Sequence, residues 1–139
     1  MTAKKLTAAQ RQRIEKAVET VPFARLLGIE VDSIEPGTAT LGLTIRRELT
    51  QNHGVVHGGA VASLIDTATA FAILSLLAPK EKITTVDLTI NYLRPLTAGR
   101  ATATARVLRA GRRLLVVSAD VFDDGGTLAA TALSTYIKL

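Results

Sequence analysis

Between Gly58 and Pro79 the chain carries a single ionisable side chain, Asp66, in a run otherwise made of small or apolar residues. A carboxylate is costly to bury, so one placed there either has a partner or does chemistry. Nine residues earlier stands His57-Gly58-Gly59, a turn able to open a helix. The first turn of such a helix leaves backbone N–H groups unpaired and carries the positive end of the helix dipole. Amides of that kind can polarise an oxygen that gains negative charge, and a glycine removes the side chain that would block the approach. A carboxylate can act as nucleophile or general base. The bland alternative for Asp66 is a buried helix residue bonded to Thr67, Ser63 or a partner elsewhere.

These groups need a scaffold, and the rest of the chain predicts one. Thr7-Ala8-Ala9-Gln10 reads as a capping box, with Gln10 reaching back to the Thr7 backbone. Ile14, Ala17, Val18 and Val21 then recur at the spacing of one helix face, so a helix without chemistry of its own should end near Pro22 and dock through that face. Ile29 to Ile34 reads as a short strand, Glu35-Pro36-Gly37-Thr38 as a turn, and Ala39, Leu41, Leu43 and Ile45 as the buried side of a second strand, together a hairpin. A polar loop from Arg46 to Val56 feeds the Gly-Gly turn and a long central helix that Pro79 should close.

After that helix the pattern is all strand. Val86, Leu88, Ile90 and Tyr92 are expected on one face, with Thr85, Asp87, Thr89 and Asn91 on the other. Pro95 and Gly99 mark a turn, and Ala101, Ala103, Ala105 and Val107 alternate beyond it. A turn at Ala110-Gly111 leads to a strand from Leu114 to Phe122, and the Asp123–Gly126 turn to a last one from Thr127 to about Ile137. Short turns between consecutive strands imply antiparallel pairing. Alanine at so many strand positions would let a curved sheet approach the central helix closely.

Composition narrows the function classes. A chain of 139 residues with 47% hydrophobic content can bury one real core, so residues 1–139 are expected to form a single domain with 1–22 as a docking helix. Without cysteine there is no disulfide, thiol nucleophile or thiolate metal site. A net charge of +5 fits an anionic partner, but 4% aromatic content and scattered basic residues speak against nucleic acid. Ala60 to Ala78 approaches membrane-spanning length, yet Asp66, Ser63, Thr67, Thr69 and Ser75 interrupt it, so burial in protein is expected. Met1 to Arg13 lacks the apolar segment of a secretory signal, and Glu15 and Glu19 argue against a mitochondrial presequence, so a cytoplasmic protein is expected.

With these elements in order, the chain resembles the hotdog-fold acyl-CoA thioesterases, in particular the phenylacetate-degradation (PaaI-like) group. Leu27-Gly28-Ile29, Gly54-Val55-Val56-His57-Gly58-Gly59, Asp66, Thr85-Val86-Asp87-Leu88, Tyr92-Leu93-Arg94-Pro95 and Gly111-Arg112-Arg113 carry the resemblance. It implies an α+β fold in which a long central helix is wrapped by a curved antiparallel sheet of about six strands, plus a short N-terminal helix. It also implies a homodimer, often a dimer of dimers, that hydrolyses an acyl-CoA thioester with no metal or cofactor. The fold alone would not license that activity, since hotdog proteins include acyl-thioester dehydratases and non-catalytic acyl-CoA binders.

Carried onto this sequence, the resemblance makes Asp66 the nucleophile or general base and the Gly58 N–H the donor that polarises the carbonyl. Gln51 or Asn52 would orient the carboxylate or the attacking water, with the spacing to His57 favouring Gln51. His57 would bond a loop carbonyl or help hold the thioester, whereas His53 reads as a loop residue. Thr85 would reach the site from its strand, and Arg94, Arg112 and Arg113 would meet the phosphates of coenzyme A. The acyl group would lie near Ala68, Phe71 and Ala72. Eight helical residues separate Gly58 from Asp66, roughly 12 Å, so one subunit cannot easily supply both. Two helices antiparallel about a two-fold axis would solve this, with Gly58 of one subunit facing Asp66 of the other.

Overall fold

A computed structural model describes residues 5–139. The capping box is present in both directions: Gln10 N donates to Thr7 Oγ1 (3.1 Å) and Thr7 N to Gln10 Oε1 (2.8 Å). It opens α1 (Ala8–Thr20), which buries Ile14. The helix ends near Pro22 as expected, at Thr20, with Val21 in extended geometry. Pro22 then begins a second helix that the sequence reading did not foresee, α2 (Pro22–Leu27), which Gly28 ends at φ +76°. Proline lacks only an N–H that the first helical turn does not use, so it can start a helix as readily as stop one.

Strands β1 (Ile29–Glu35) and β2 (Thr38–Thr44) form the expected hairpin, with Ala39, Leu41 and Leu43 buried. A 3₁₀ turn at Arg47–Leu49 and a bridge between Thr50 and Val56 shape the loop that leads to α3 (Gly58–Leu74). This helix ends before Pro79, at Leu74. Ser75 Oγ donates to Ala72 O and accepts from Gly37 N, both at 2.7 Å, tying the helix end to the β1–β2 turn. Arg13 of α1 donates to Leu77 O at 2.7 Å just beyond. No helix of the described residues is long and apolar enough to cross a membrane.

Strands β3 (Ile83–Tyr92), β4 (Arg100–Ala110), β5 (Leu114–Phe122) and β6 (Leu128–Lys138) complete a six-stranded antiparallel sheet in the order β1-β2-β4-β5-β6-β3. Its concave face holds α3, and Ala101, Ala103, Ala105, Ala119 and Ala130 are all buried there. Their small side chains let the strands approach Leu64, Ile65 and Ile73 without a gap. This is the hotdog architecture.

One face assignment on β3 is corrected. The register steps from Thr85↔Tyr136 to Asp87↔Thr135, which leaves Val86 as the extra residue of a β-bulge. Val86 is turned out, 54% exposed, and Thr85 joins Leu88 and Ile90 on the side of the helix. Strict alternation would have pointed Thr85 away from Asp66.

Candidate active site

Asp66 is half-buried on α3 and is bonded neither to Thr67 nor to Ser63, whose hydroxyls donate to the carbonyls of Ser63 and Gly59. Its partners come from the sheet. Thr85 Oγ1 donates to Asp66 Oδ1 at 2.9 Å, and the Tyr136 hydroxyl lies 3.1 Å from the same oxygen and 2.8 Å from the Asp66 carbonyl. Thr69 Oγ1 stands 2.7 Å from that hydroxyl. Burial pushes the Tyr136 hydroxyl well above the ordinary phenol range, so it stays protonated and serves as a donor. Both donors converge on Oδ1, and Oδ2 has no hydrogen bond among the described residues. One oxygen is anchored and the other is left without a donor.

Asp66 lies in the wall of two clefts. One, about 290 Å³, is shared with Thr85 and Leu88. The other, about 340 Å³, runs under α1 and α2.

The N-terminal end of α3 is built differently, from neighbours in sequence. His57 is the N-cap, and its Nδ1 accepts from Gly59 N at 2.8 Å. The bond to a loop carbonyl expected of the His57 side chain is not observed among the described residues; its observed contact is this cap. Glycine at position 59 leaves room for this cap, since an added Cβ would come within 2.9 Å of that nitrogen and push the imidazole aside. The Gly58 N–H has no hydrogen-bond partner among the described residues. Tyr92 of β3 donates to Gly58 O at 2.8 Å, and its ring would touch a Cβ at Gly58 at 3.4 Å. A cavity of about 300 Å³ opens here, lined by Gly58, Val61, Tyr92 and Arg94 among others.

The remaining residues named from sequence spread around this frame. Gln51, Asn52 and His53 are exposed in the loop before α3. Gln51 N donates to Val55 O and Gln51 O accepts from Gly54 N, while neither the Gln51 nor the Asn52 side-chain amide makes a hydrogen bond among the described residues. Arg112 and Arg113 are exposed in the β4–β5 turn, where Lys138 N donates to Arg113 O. That turn lies at the Ile83 end of the sheet, whereas Arg94 lies beyond the Tyr92 end.

Sequence reasoning missed Tyr136 and Thr69. The signal for Tyr136 was available: on β6, Ala130, Ala132, Ser134 and Tyr136 share the buried face, and a tyrosine in such a row needs a partner for its hydroxyl. Tyr92 was noted only as part of a motif, not as a neighbour of Gly58.

The match to the thioesterase superfamily covers residues 53–130, from the loop before α3 into β6. The medium/long-chain acyl-CoA thioesterase YigI of Salmonella typhimurium is 32% identical over 149 aligned positions, spanning 95% of this chain and 96% of its own. Among solved structures, the PaaI protein of the E. coli phenylacetic acid degradation operon superposes with a TM-score of 0.88 at 28% identity, covering 96% of each chain. A thioesterase family protein of Silicibacter pomeroyi does so with 0.87 at 31% identity, covering 94% of this chain and 98% of that one. Fold, motif order and these matches agree, and the chain belongs to the thioesterase superfamily of hotdog hydrolases.

Proposed function

We propose that the protein hydrolyses medium-length acyl-CoA thioesters to the free acid and coenzyme A at two identical sites shared across a homodimer. The observation that carries this reading is the state of Asp66, with Oδ1 held by two hydroxyl donors and Oδ2 free at a cleft. Preference for an aliphatic acyl group is supported by the apolar cavity beside Asp66 and by the substrate class of the Salmonella relative.

The two halves of the site contact opposite ends of β3. Asp66 meets Thr85 near its start, and Gly58 meets Tyr92 at its finish. β3 is also an edge strand, with one side unpaired in the sheet. Antiparallel pairing of β3 with its symmetry mate near Leu88 and Thr89 would set the Asp66 end of one protomer beside the Gly58 end of the other. The same operation would carry Arg112 and Arg113 of one subunit toward Arg94 of the partner subunit, where guanidinium groups would suit the phosphates of coenzyme A. The side-chain amides of Gln51 and Asn52, without a hydrogen bond among the described residues, would be available to orient water.

In such a site the thioester carbonyl oxygen accepts from the unpaired Gly58 N–H, which strengthens its hold as the oxygen becomes negative. Asp66 Oδ2 either takes a proton from a water that attacks the carbonyl carbon or attacks that carbon itself. In both courses the tetrahedral intermediate collapses by breaking the C–S bond and releasing the coenzyme A thiolate. Direct attack leaves a mixed anhydride that water then opens. Where water opens the anhydride at the Asp66 carbonyl, single-turnover hydrolysis in ¹⁸O-water leaves label in Asp66, which general-base hydrolysis never does.

Thiol release from a panel of short, medium-chain and aromatic acyl-CoAs, with Asp66→Asn beside the wild type, tests the reading. The substitution is expected to lower kcat by roughly 10²-fold or more with KM little changed, as for a group acting in the transition state. Equal turnover by the two proteins would remove Asp66 from the reaction.

A further inference from the structure

The cleft of about 340 Å³ beside Asp66 has that aspartate as its one charged lining residue. Ala70, Phe71 and Leu74 of α3 form one wall, and Ile83 begins another. The wall opposite α3 comes from the N-terminal helices, through Ala17 of α1 and Val21 and Phe23 at the α1–α2 junction. We propose that this cleft receives the acyl chain of the thioester, its alkyl end toward Leu74 and Ala17, and that the α1–α2 junction sets the chain length accepted. The assignment rests on the hydrolytic role of Asp66.

The geometry favours this path. Ala70 and Leu74 follow Asp66 at one and two helical turns, on the same face. The eight residues from Asp66 to Leu74 make a groove of roughly 12 Å, the reach of a medium-length acyl chain. Ala68 and Ala72, expected from the sequence to line the acyl group, are fully buried under the sheet and leave no room for it. Phe23 is 53% exposed although it borders this cleft, the Thr85–Leu88 cleft and a third beside His57 and Gly59. An aromatic ring at the crossing of three clefts stands at a mouth, and covering it with an alkyl chain removes apolar surface from water. The Thr85–Leu88 cleft borders the edge strand, where the partner subunit would deliver the thioester, so the α1–α2 cleft is left for the chain. Arg13, bonded to Leu77 O, anchors α1 at the far end of the groove.

Ala17→Phe and Ala70→Phe place a ring in the cleft from opposite walls. Both residues are only partly buried, so the added ring enters open space rather than packed core. The readouts are the ratio of kcat/KM for decanoyl-CoA to that for butyryl-CoA, and calorimetric binding of the non-hydrolysable thioethers S-decyl-CoA and S-butyl-CoA. Wild type is expected to favour the longer chain in both. Each variant should lose that preference by roughly 30-fold or more, about the worth of two to three buried methylenes. An unchanged preference in both variants, with melting temperatures near wild type, overturns the assignment. Wild type that binds S-decyl-CoA preferentially, loses this in both variants, yet releases no thiol from any acyl-CoA would support the chain-binding cleft and overturn the hydrolytic reading instead.

Discussion

The two ends of the candidate site are held by different kinds of structure. At the Gly58 end the parts are adjacent in the chain: His57 caps the helix, Gly59 makes room for the cap, and the Gly58 N–H is left unpaired by helix geometry itself. At the Asp66 end the parts lie far apart in sequence, with Thr85 and Tyr136 reaching the carboxylate from 19 and 70 residues away. The local end needs only a helix that starts in the right place. The distant end needs β3 and β6 in register, including the bulge at Val86. The Asp66 carboxylate is therefore oriented by the whole sheet, while the unpaired Gly58 N–H follows from the helix start alone.

The sharpest way to break that comparison is to delete the local donor without touching the fold. Gly58→Pro removes the N–H at the first helical position, where proline is tolerated, and His57 already holds the extended conformation that proline demands of its predecessor. Turnover should fall on the order of 10²-fold, with a melting temperature near wild type. Co-expressed Gly58→Pro and Asp66→Asn subunits should recover activity that neither has alone, because one site of a heterodimer is then intact. Failure of that rescue, with heterodimers verified, would place both groups in a single protomer.

A smaller effect is expected at the distant end. Tyr136→Phe removes one of two donors to Oδ1 and should lower kcat by roughly tenfold and stability by about 1 kcal/mol. Thr85→Val should behave alike, and a double-mutant cycle should show the two are coupled through Asp66. Strict additivity would mean they do not share the carboxylate.

Smaller again is the cap. His57→Ala should cost about 1 kcal/mol of stability, and His57→Asn should restore most of it because asparagine caps well. If His57 acts only as a cap, thioesterase activity should follow stability in this pair; a large loss of turnover in a stable His57→Asn would give it a part in the chemistry. The smallest signal is at alkaline pH. The folded state holds the Tyr136 proton above the pH at which the unfolded phenol loses it, so the unfolded chain binds fewer protons and stability falls as pH rises past about 10. Tyr136→Phe should flatten that limb in melting curves.

Much of this architecture was legible in the residues. The Thr7–Gln10 box, the β1–β2 hairpin and the alternating alanines of β4 express short-range rules, of capping, turn chemistry and a two-residue period. Isolated Asp66 and His57-Gly58-Gly59 stood out because an ionised group in an apolar helix is costly wherever that helix sits. Where short-range signals carry two meanings the reading was incomplete. Pro22 follows the end of α1, as expected, but it also opens α2, because a first helical turn does not use the N–H that proline lacks. Pro79 set an outer limit for α3, but Ser75 and Arg13 end the helix earlier through contacts with distant segments.

By itself, then, the amino-acid order determined the class of fold, the presence of a lone acid and a glycine-led helix start, and the distance that keeps them apart within one subunit. Tertiary structure decided which oxygen of Asp66 is held and which is free, because that depends on a one-residue bulge that turns Thr85 inward and on a tyrosine at the far end of the chain. Periodic patterns report which residues prefer burial. They do not report which buried residues meet, since pairing across a sheet is settled only when strands close their register together.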